Sequence, residues 1–180
     1  VRNSIRRIVG KSLGMGFKKT SDIIAVSFGL DESAANTYTQ ETIALQLDVL
    51  NNEIFVVLAV DLNPASPELV PGSSTETRAA VSSTSQTAIV SLANTNCIAE
   101  ASLSIRSAGG EAVSFTRAAE ESYSGNLDYV ALIATNNFFV ACQGTNNAAA
   151  KSVNGRVYGY RARADSTTYA ALVQSEVLSA

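Results

Sequence analysis

The stretch TIALQLDVLNNEIFVVLAVDL, residues 42–62, is the strongest indicator of the fold class of this chain. Apolar side chains occupy every second position of its first half: Ile43, Leu45, Leu47 and Val49. Such strict alternation is typical of a half-buried strand. Asn51 and Asn52 follow, and asparagine tolerates the positive φ of a tight turn. The apolar run that comes next predicts a returning strand, so we expect an antiparallel hairpin.

The rest of the body consists of short apolar runs separated by turn residues. Further strands are expected at 23–28, 86–92, 97–106, 111–117, 128–135, 138–144 and 155–164. Two more hairpin turns are expected, at Ser107–Gly110 and at Asn136–Asn137. All three prolines lie within residues 63–77, which predicts a long surface loop, and low complexity is limited to the Ser/Thr-rich stretch 73–87.

Eight to ten strands without alternating helices predict an all-β fold. An antiparallel β-sandwich is expected, with a single jelly roll as the leading topology. The last segment fits either a short C-terminal helix capped by Asp165 or Ser166 or a further strand. The domain prediction is a flexible basic arm at 1–21 followed by one β-sandwich domain at 22–180.

Charge is distributed unevenly along the chain, although the net charge is only −3. Residues 1–19 hold six cations and no acid, residues 20–150 hold three cations against fourteen acids, and the remainder holds four cations against two acids. The arm residues predicted to contact nucleic acid or another polyanion are Arg2, Arg6, Arg7, Lys11, Lys18 and Lys19. A flexible cationic arm binds phosphates without reading sequence, because neutralised phosphates release counterions.

Two other interpretations of the arm remain open. It is also compatible with a solvated terminus that binds nothing. Ile5, Ile8, Val9 and Leu13 recur at helical spacing, which is compatible with a helix on a membrane surface. Three glycines between residues 10 and 16 disfavour that helix, so membrane contact is the weaker alternative.

The basic strand near the C-terminus is a predicted interface. Alternation places Arg156, Tyr158 and Tyr160 on one face and Arg161 and Arg163 on the other. Tyrosine and arginine are frequent in protein interfaces and can also stack on bases. Subunit contact or packing is the preferred interpretation of this strand, and nucleic-acid contact is the alternative.

The composition disfavours an enzyme. Without histidine, the chain lacks the commonest general base and the commonest zinc ligand. Gly10-Lys11-Ser12 lacks the upstream glycine of a phosphate-binding loop, since Ile5 stands at that position. The acid pairs Asp31-Glu32 and Glu120-Glu121 are expected to be solvated turns, with a calcium site as the alternative. Cys97 and Cys142 are expected to be buried thiols, with a bridge as the alternative. No catalytic residue, metal, cofactor or small-molecule substrate is predicted.

A cationic arm, an acidic strand-rich body and a charged fraction of only 16% together favour a subunit whose surface is covered by copies of itself. This organisation resembles the single jelly-roll shell proteins of icosahedral viruses, whose basic arms face the genome. The expected function is therefore a self-assembling capsid protein located in the virion. The alternatives are a phage decoration or tail subunit or an extracellular filament subunit that assembles by strand exchange, and a monomeric β-sandwich binding module at the cell surface.

Overall fold

The computed structural model, which describes residues 16–118 and 127–178, contains two antiparallel sheets of five strands each. The first sheet contains β1 (Phe17–Lys19), β2 (Ile24–Asp31), β4 (Glu53–Pro64), β8 (Ala131–Ile133) and β10 (Ser152–Ala164). The second contains β3 (Thr39–Ala44), β5 (Thr75–Ser82), β6 (Cys97–Ala108), β7 (Glu111–Arg117) and β9 (Asn137–Thr145). A 3₁₀ turn at Val49–Asn51 and a helix, α1 (Ser166–Leu178), complete the described elements.

The strands pair in a nested order. β2 pairs with β10, β3 with β9, β4 with β8, and β5 with β6. β1 follows β2 along the same edge of β10, and β7 extends the second sheet beyond β6. β10 also pairs with β4, which joins the β2–β10 and β4–β8 pairs into the first sheet, and β9 also pairs with β5, which joins the β3–β9 and β5–β6 pairs into the second. The predicted all-β class is confirmed.

The core lies between the two sheets and has a sandwich arrangement. Side chains that alternate along the strands meet there, including Phe55 and Val57 from the first sheet and Val81 and Val140 from the second. The rings of Phe28 and Phe138 meet edge to face at 6.2 Å between centroids. Each such side chain stabilises the fold by about 1.5–3 kcal/mol when it is fully buried.

Helix α1 covers part of the outer face of the first sheet. Its Tyr169, Leu172 and Val173 pack in a second cluster that contains Val56 and Ala162. The helix begins after Asp165, whose carboxylate Oδ1 accepts a hydrogen bond from the backbone N–H of Thr168 at 2.7 Å. This is N-cap geometry, so the helical alternative for the last segment is confirmed and the strand alternative is wrong.

The predicted hairpin over residues 42–62 is wrong. Its second strand exists as β4, but its first half ends as a strand at Ala44 and belongs to the other sheet. Leu45 and Leu47 are buried, as the alternation predicted, yet they lie where the chain crosses between sheets. Gln46 and Asn52 have φ near 53°, and this left-handed backbone interrupts strand geometry.

The hairpin predicted around Asn136–Asn137 is wrong for the same reason. β8 lies in the first sheet and β9 in the second, so the asparagine pair marks another crossing. The two crossings are joined, because the backbone N–H of Leu45 donates to the Asn136 carbonyl at 2.9 Å and that of Leu47 donates to its side-chain oxygen. The third predicted hairpin, β6–β7, is confirmed, with Gly109 and Gly110 both at positive φ.

One further strand prediction is wrong, and two strands, β5 and β1, lie where none was expected. Residues 86–92 form no strand. The start of this segment lies against β3, where the Gln40 side-chain N–H donates a hydrogen bond to the Ser85 hydroxyl and the Gln40 side-chain oxygen accepts one from the Gln86 backbone N–H. The Ser/Thr-rich stretch instead supplies β5, a central strand. The predicted arm, residues 1–21, includes β1, so its last cations belong to the first sheet.

Candidate functional site

A pair of cations lies at the end of the first sheet where the described chain begins. Lys18 of β1 and Arg163 of β10 are directly opposite each other in the antiparallel register. Both are exposed, and neither lies within ion-pair distance of a described carboxylate, although Glu53 of β4 stands opposite Arg163 on the other side and pairs with Arg161. Opposite residues of neighbouring strands lie on the same face about 4.5–5.5 Å apart, where like charges repel. An anion placed between these two side chains would relieve that repulsion.

The other arm cation in the structure points to the opposite face. Lys19 places its Nζ 4.9 Å from the centroid of the Tyr160 ring, within the range of a cation–π contact. Tyr160 is half-buried against the cluster under α1. Lys19 therefore contributes positive charge beside the helix, while Lys18 contributes it on the other side of the sheet.

Arg161 is engaged within the chain. Its guanidinium donates to the carbonyl oxygens of Leu45 at 2.9 Å and Gln46 at 3.1 Å, and it lies 3.4 Å from the Glu53 carboxylate. These contacts hold the crossing segment against the first sheet. Three of the five guanidinium donors are therefore used within the chain.

Arg156 and Tyr158 lie far from the paired cations. Arg163 lies seven positions after Arg156 on the strand, which is about 23 Å at strand rise. Arg156 is exposed and stands opposite Asp61 of β4, at a shallow depression of about 530 Å³. The structure places Arg156 and Tyr160 on one face of β10 and Arg161 on the other, as alternation predicted. The residues of the predicted interface on this strand therefore do not form one patch.

The remaining arm cations, Arg2, Arg6, Arg7 and Lys11, lie outside the described residues. The chain enters the described fold at Gly16, whose carbonyl oxygen accepts the backbone N–H of Asp165 at 2.9 Å. This entry point is next to Phe17, which pairs with Ala164. The arm therefore joins the body at the end that carries Lys18 and Arg163.

The opposite end of the sandwich holds a polar network that the sequence did not reveal. Glu32 is buried, and its two oxygens accept backbone N–H groups of Gly144 at 2.6 Å and Lys151 at 2.7 Å. Asn36 and Asn147 exchange two hydrogen bonds of 2.8 Å. The network joins loops that are distant in sequence. The acidic pair at 31–32 is thus not simply a solvated turn, because one member is a structural acceptor.

A second carboxylate extends this network. Glu68 forms an ion pair of 3.0 Å with Lys151 and accepts the Ala148 backbone N–H at 2.7 Å. The Lys151 hydrogen bond, followed by that from Ala148, lowers the pKa of the Glu68 carboxyl. The sequence signal for this network is weak, because Asn146 and Asn147 lie in an Asn/Ala-rich loop that matches no binding or turn motif. The other acidic pair, Glu120-Glu121, lies outside the described residues.

The two cysteines are free thiols on strands separated by β5. The bridge considered from the sequence is therefore wrong. Desolvation raises the pKa of Cys97 to about 11 and that of Cys142 to about 12. Both thiols are protonated at neutral pH and are weak nucleophiles.

Comparison with protein-family models finds no match, and searches of curated proteins and of solved structures find none either. Among the described residues, no helix combines the length and the apolar character that crossing a membrane requires.

Proposed function

We propose that this chain is a jelly-roll structural subunit that assembles with copies of itself into a closed viral shell. The observation that carries the proposal is the nested pairing of strands. Leaving out β1 and β7, eight strands remain, and the first pairs with the last, the second with the seventh, the third with the sixth, and the fourth with the fifth. A long hairpin wrapped into two facing sheets produces this order, which is the pattern of a jelly roll.

Jelly rolls serve several functions, so the strand order alone does not select a shell protein. The second support is the placement of charge. Six cations lie in residues 1–19, and the arm joins the body beside the exposed pair Lys18 and Arg163. In the proposed shell this end faces the packaged nucleic acid, whose phosphates neutralise the repulsion between the paired cations. The location of the protein would then be the virion.

Exposed apolar side chains provide the third support. Leu50 is 96% exposed at the 3₁₀ turn, and Leu69 is 63% exposed in the proline-rich loop. Val113 and Phe115 are each 57% exposed on β7. Single exposed apolar residues are ordinary, but an edge strand that presents two of them is a surface for pairing with another chain. The exposed β7 edge equally favours the second candidate, a decoration, tail or filament subunit that carries no nucleic acid.

Salt-dependent binding to single-stranded nucleic acid tests the role of the arm. Arg6→Gln/Arg7→Gln removes two arm cations, and Arg106→Gln/Arg156→Gln removes two exposed cations of the body as a matched control. The logarithm of the binding constant falls linearly as the logarithm of the salt concentration rises. We expect the arm variant to make this slope shallower by about 1.4–2, because each lost phosphate contact removes about one released counterion. The control should keep the wild-type slope. Equal slopes in all three proteins would contradict the nucleic-acid role and favour the second candidate.

A further inference from the structure

Among the described strands, β7 is an edge of the second sheet. It pairs with β6, and no other described strand pairs with it. All seven of its residues are exposed. Its residues Val113 and Phe115 face the same side as their β6 neighbours Arg106 and Ser104. A long exposed edge of this kind presents unpaired backbone groups that pair readily with another strand.

The sequence of β7, EAVSFTR, is complementary to itself in the antiparallel direction. The register that pairs all seven residues places Ser114 opposite its own copy. In that register Glu111 stands opposite Arg117, and Val113 stands opposite Phe115. Both pairs lie on one face of the strand, since these four residues are separated by steps of two.

We infer that β7 pairs with β7 of a second copy of this chain about a twofold axis at Ser114. The inference rests on the proposed self-assembly and identifies one of its contacts. A twofold contact uses the same patch on both copies, which requires a self-complementary surface. Opposite charges and an aromatic opposite a β-branched residue are the cross-strand pairs that stabilise antiparallel sheets, and the axis supplies each of them twice. The second sheets of the two copies then form one continuous sheet of ten strands.

The contact is expected to be weak in isolation. A stable interface buries about 800 Å² on each partner, and one seven-residue strand provides less. The pairing is therefore a contact that operates together with others in a shell. Cross-linking of the purified protein is a better test than an equilibrium measurement, because it records a weak contact at fixed geometry.

The test uses Ser114→Cys, with Thr116→Cys as the matched control on the same face of the same strand. Two copies of residue 114 lie about 4.5–5.5 Å apart between Cα atoms, within the range of a disulfide. Two copies of residue 116 are offset by four residues, or about 14 Å. Mild oxidation should give about tenfold more disulfide dimer from Ser114→Cys than from Thr116→Cys on non-reducing gels. The wild-type protein controls for Cys97 and Cys142.

A charge exchange tests the register independently. In the Ser114→Cys background, Glu111→Lys places two cations opposite each other and should reduce the dimer yield. Adding Arg117→Glu should restore it. Circular dichroism confirms that each variant keeps its β-sheet signal, and a variant that loses this signal is replaced by Glu111→Gln, for which a smaller reduction is expected.

The outcomes separate this contact from the proposed function. Equal cross-linking of Ser114→Cys and Thr116→Cys, or no rescue by the exchanged charges, overturns the β7 pairing even if electron microscopy shows closed particles. Selective Ser114→Cys dimers from a protein that forms no particles support the pairing and contradict the shell.

Discussion

The guanidinium Nη2 of Arg161 lies 2.9 Å from the carbonyl oxygen of Leu45. The last strand of the first sheet thus holds the segment through which the chain arrives from the second sheet. Asn136 contacts the same segment from the other crossing, through the backbone N–H of Leu45. The two places where the chain changes sheets are therefore fixed to each other and to β10.

Replacing Arg161 by alanine should destabilise the fold. The change removes hydrogen bonds to Leu45 and Gln46 and leaves their carbonyl groups without these donors. The side chain is 32% exposed, so water partly compensates, and we expect a loss of about 1–2 kcal/mol in the free energy of unfolding. Arg156→Ala on the exposed face of the same strand should change it by less than about 0.5 kcal/mol. Equal effects of the two changes in urea denaturation would show that Arg161 does not hold the crossing.

Thr75 and Thr77 of β5 allow the free-energy effect of a buried hydroxyl with a hydrogen-bond partner to be compared with that of one without. The Thr77 Oγ1 is buried and has no hydrogen-bond partner among the described residues, whereas the Thr75 Oγ1 donates to the Glu68 carbonyl at 2.6 Å. Valine has nearly the same shape as threonine without the hydroxyl. Thr77→Val should therefore stabilise the protein by about 1 kcal/mol, and Thr75→Val should destabilise it by about 1 kcal/mol. Thermal unfolding measures both, and a destabilised Thr77→Val would mean that its hydroxyl has a partner.

The docking of α1 should depend on pH through Glu176. Its carboxylate accepts the backbone N–H groups of Ala134 at 2.9 Å and Thr135 at 3.1 Å. Burial raises the pKa of Glu176 above its ordinary value of 4.5, against the opposing effect of those hydrogen bonds. The folded chain therefore binds the Glu176 proton more tightly than the unfolded chain does. The stabilisation that comes from this proton is fully present below pH 4.5 and is lost as the pH rises through the raised pKa of Glu176.

Glu176→Gln and Glu176→Ala isolate that contribution. The glutamine variant does not titrate, so the unfolding free energy of the wild type relative to it should fall between about pH 4 and about pH 7. The alanine variant leaves both N–H groups without an acceptor and should lose about 1–3 kcal/mol at either pH. Denaturant titrations at the two pH values measure these differences. A difference between wild type and Glu176→Gln that stays constant with pH would contradict the raised pKa.

The sequence predicts strands better than it predicts their partners. β6, β7 and β10 were placed within a few residues because their apolar residues recur at strand spacing and glycines mark the β6–β7 turn. The asparagine pairs at 51–52 and 136–137 resemble hairpin turns locally. Their role at sheet crossings depends on contacts between distant parts of the chain, such as Asn136 with Leu45. Turn composition alone does not distinguish a hairpin turn from a crossing between sheets.

β5 was missed for a different physical reason. Its inward side chains are Thr75, Thr77, Ala79 and Val81, and most of these are too small or too polar to give an apolar pattern. They face the first sheet, and β5 is held in place by backbone pairing with β6 on one edge and β9 on the other. The sequence predicts a basic arm and a basic strand. It does not predict that Lys18 of the arm stands opposite Arg163 of the strand, because that depends on the register between β1 and β10.

Negative-stain electron microscopy of the purified protein, with absorbance at 260 and 280 nm measured on the same fraction, tests the central claim most directly. A closed jelly-roll shell around nucleic acid predicts uniform closed particles and a raised 260/280 ratio. Filaments or small rings without nucleic acid would support the second candidate in its place. A field of monomers at high protein concentration would contradict self-assembly altogether.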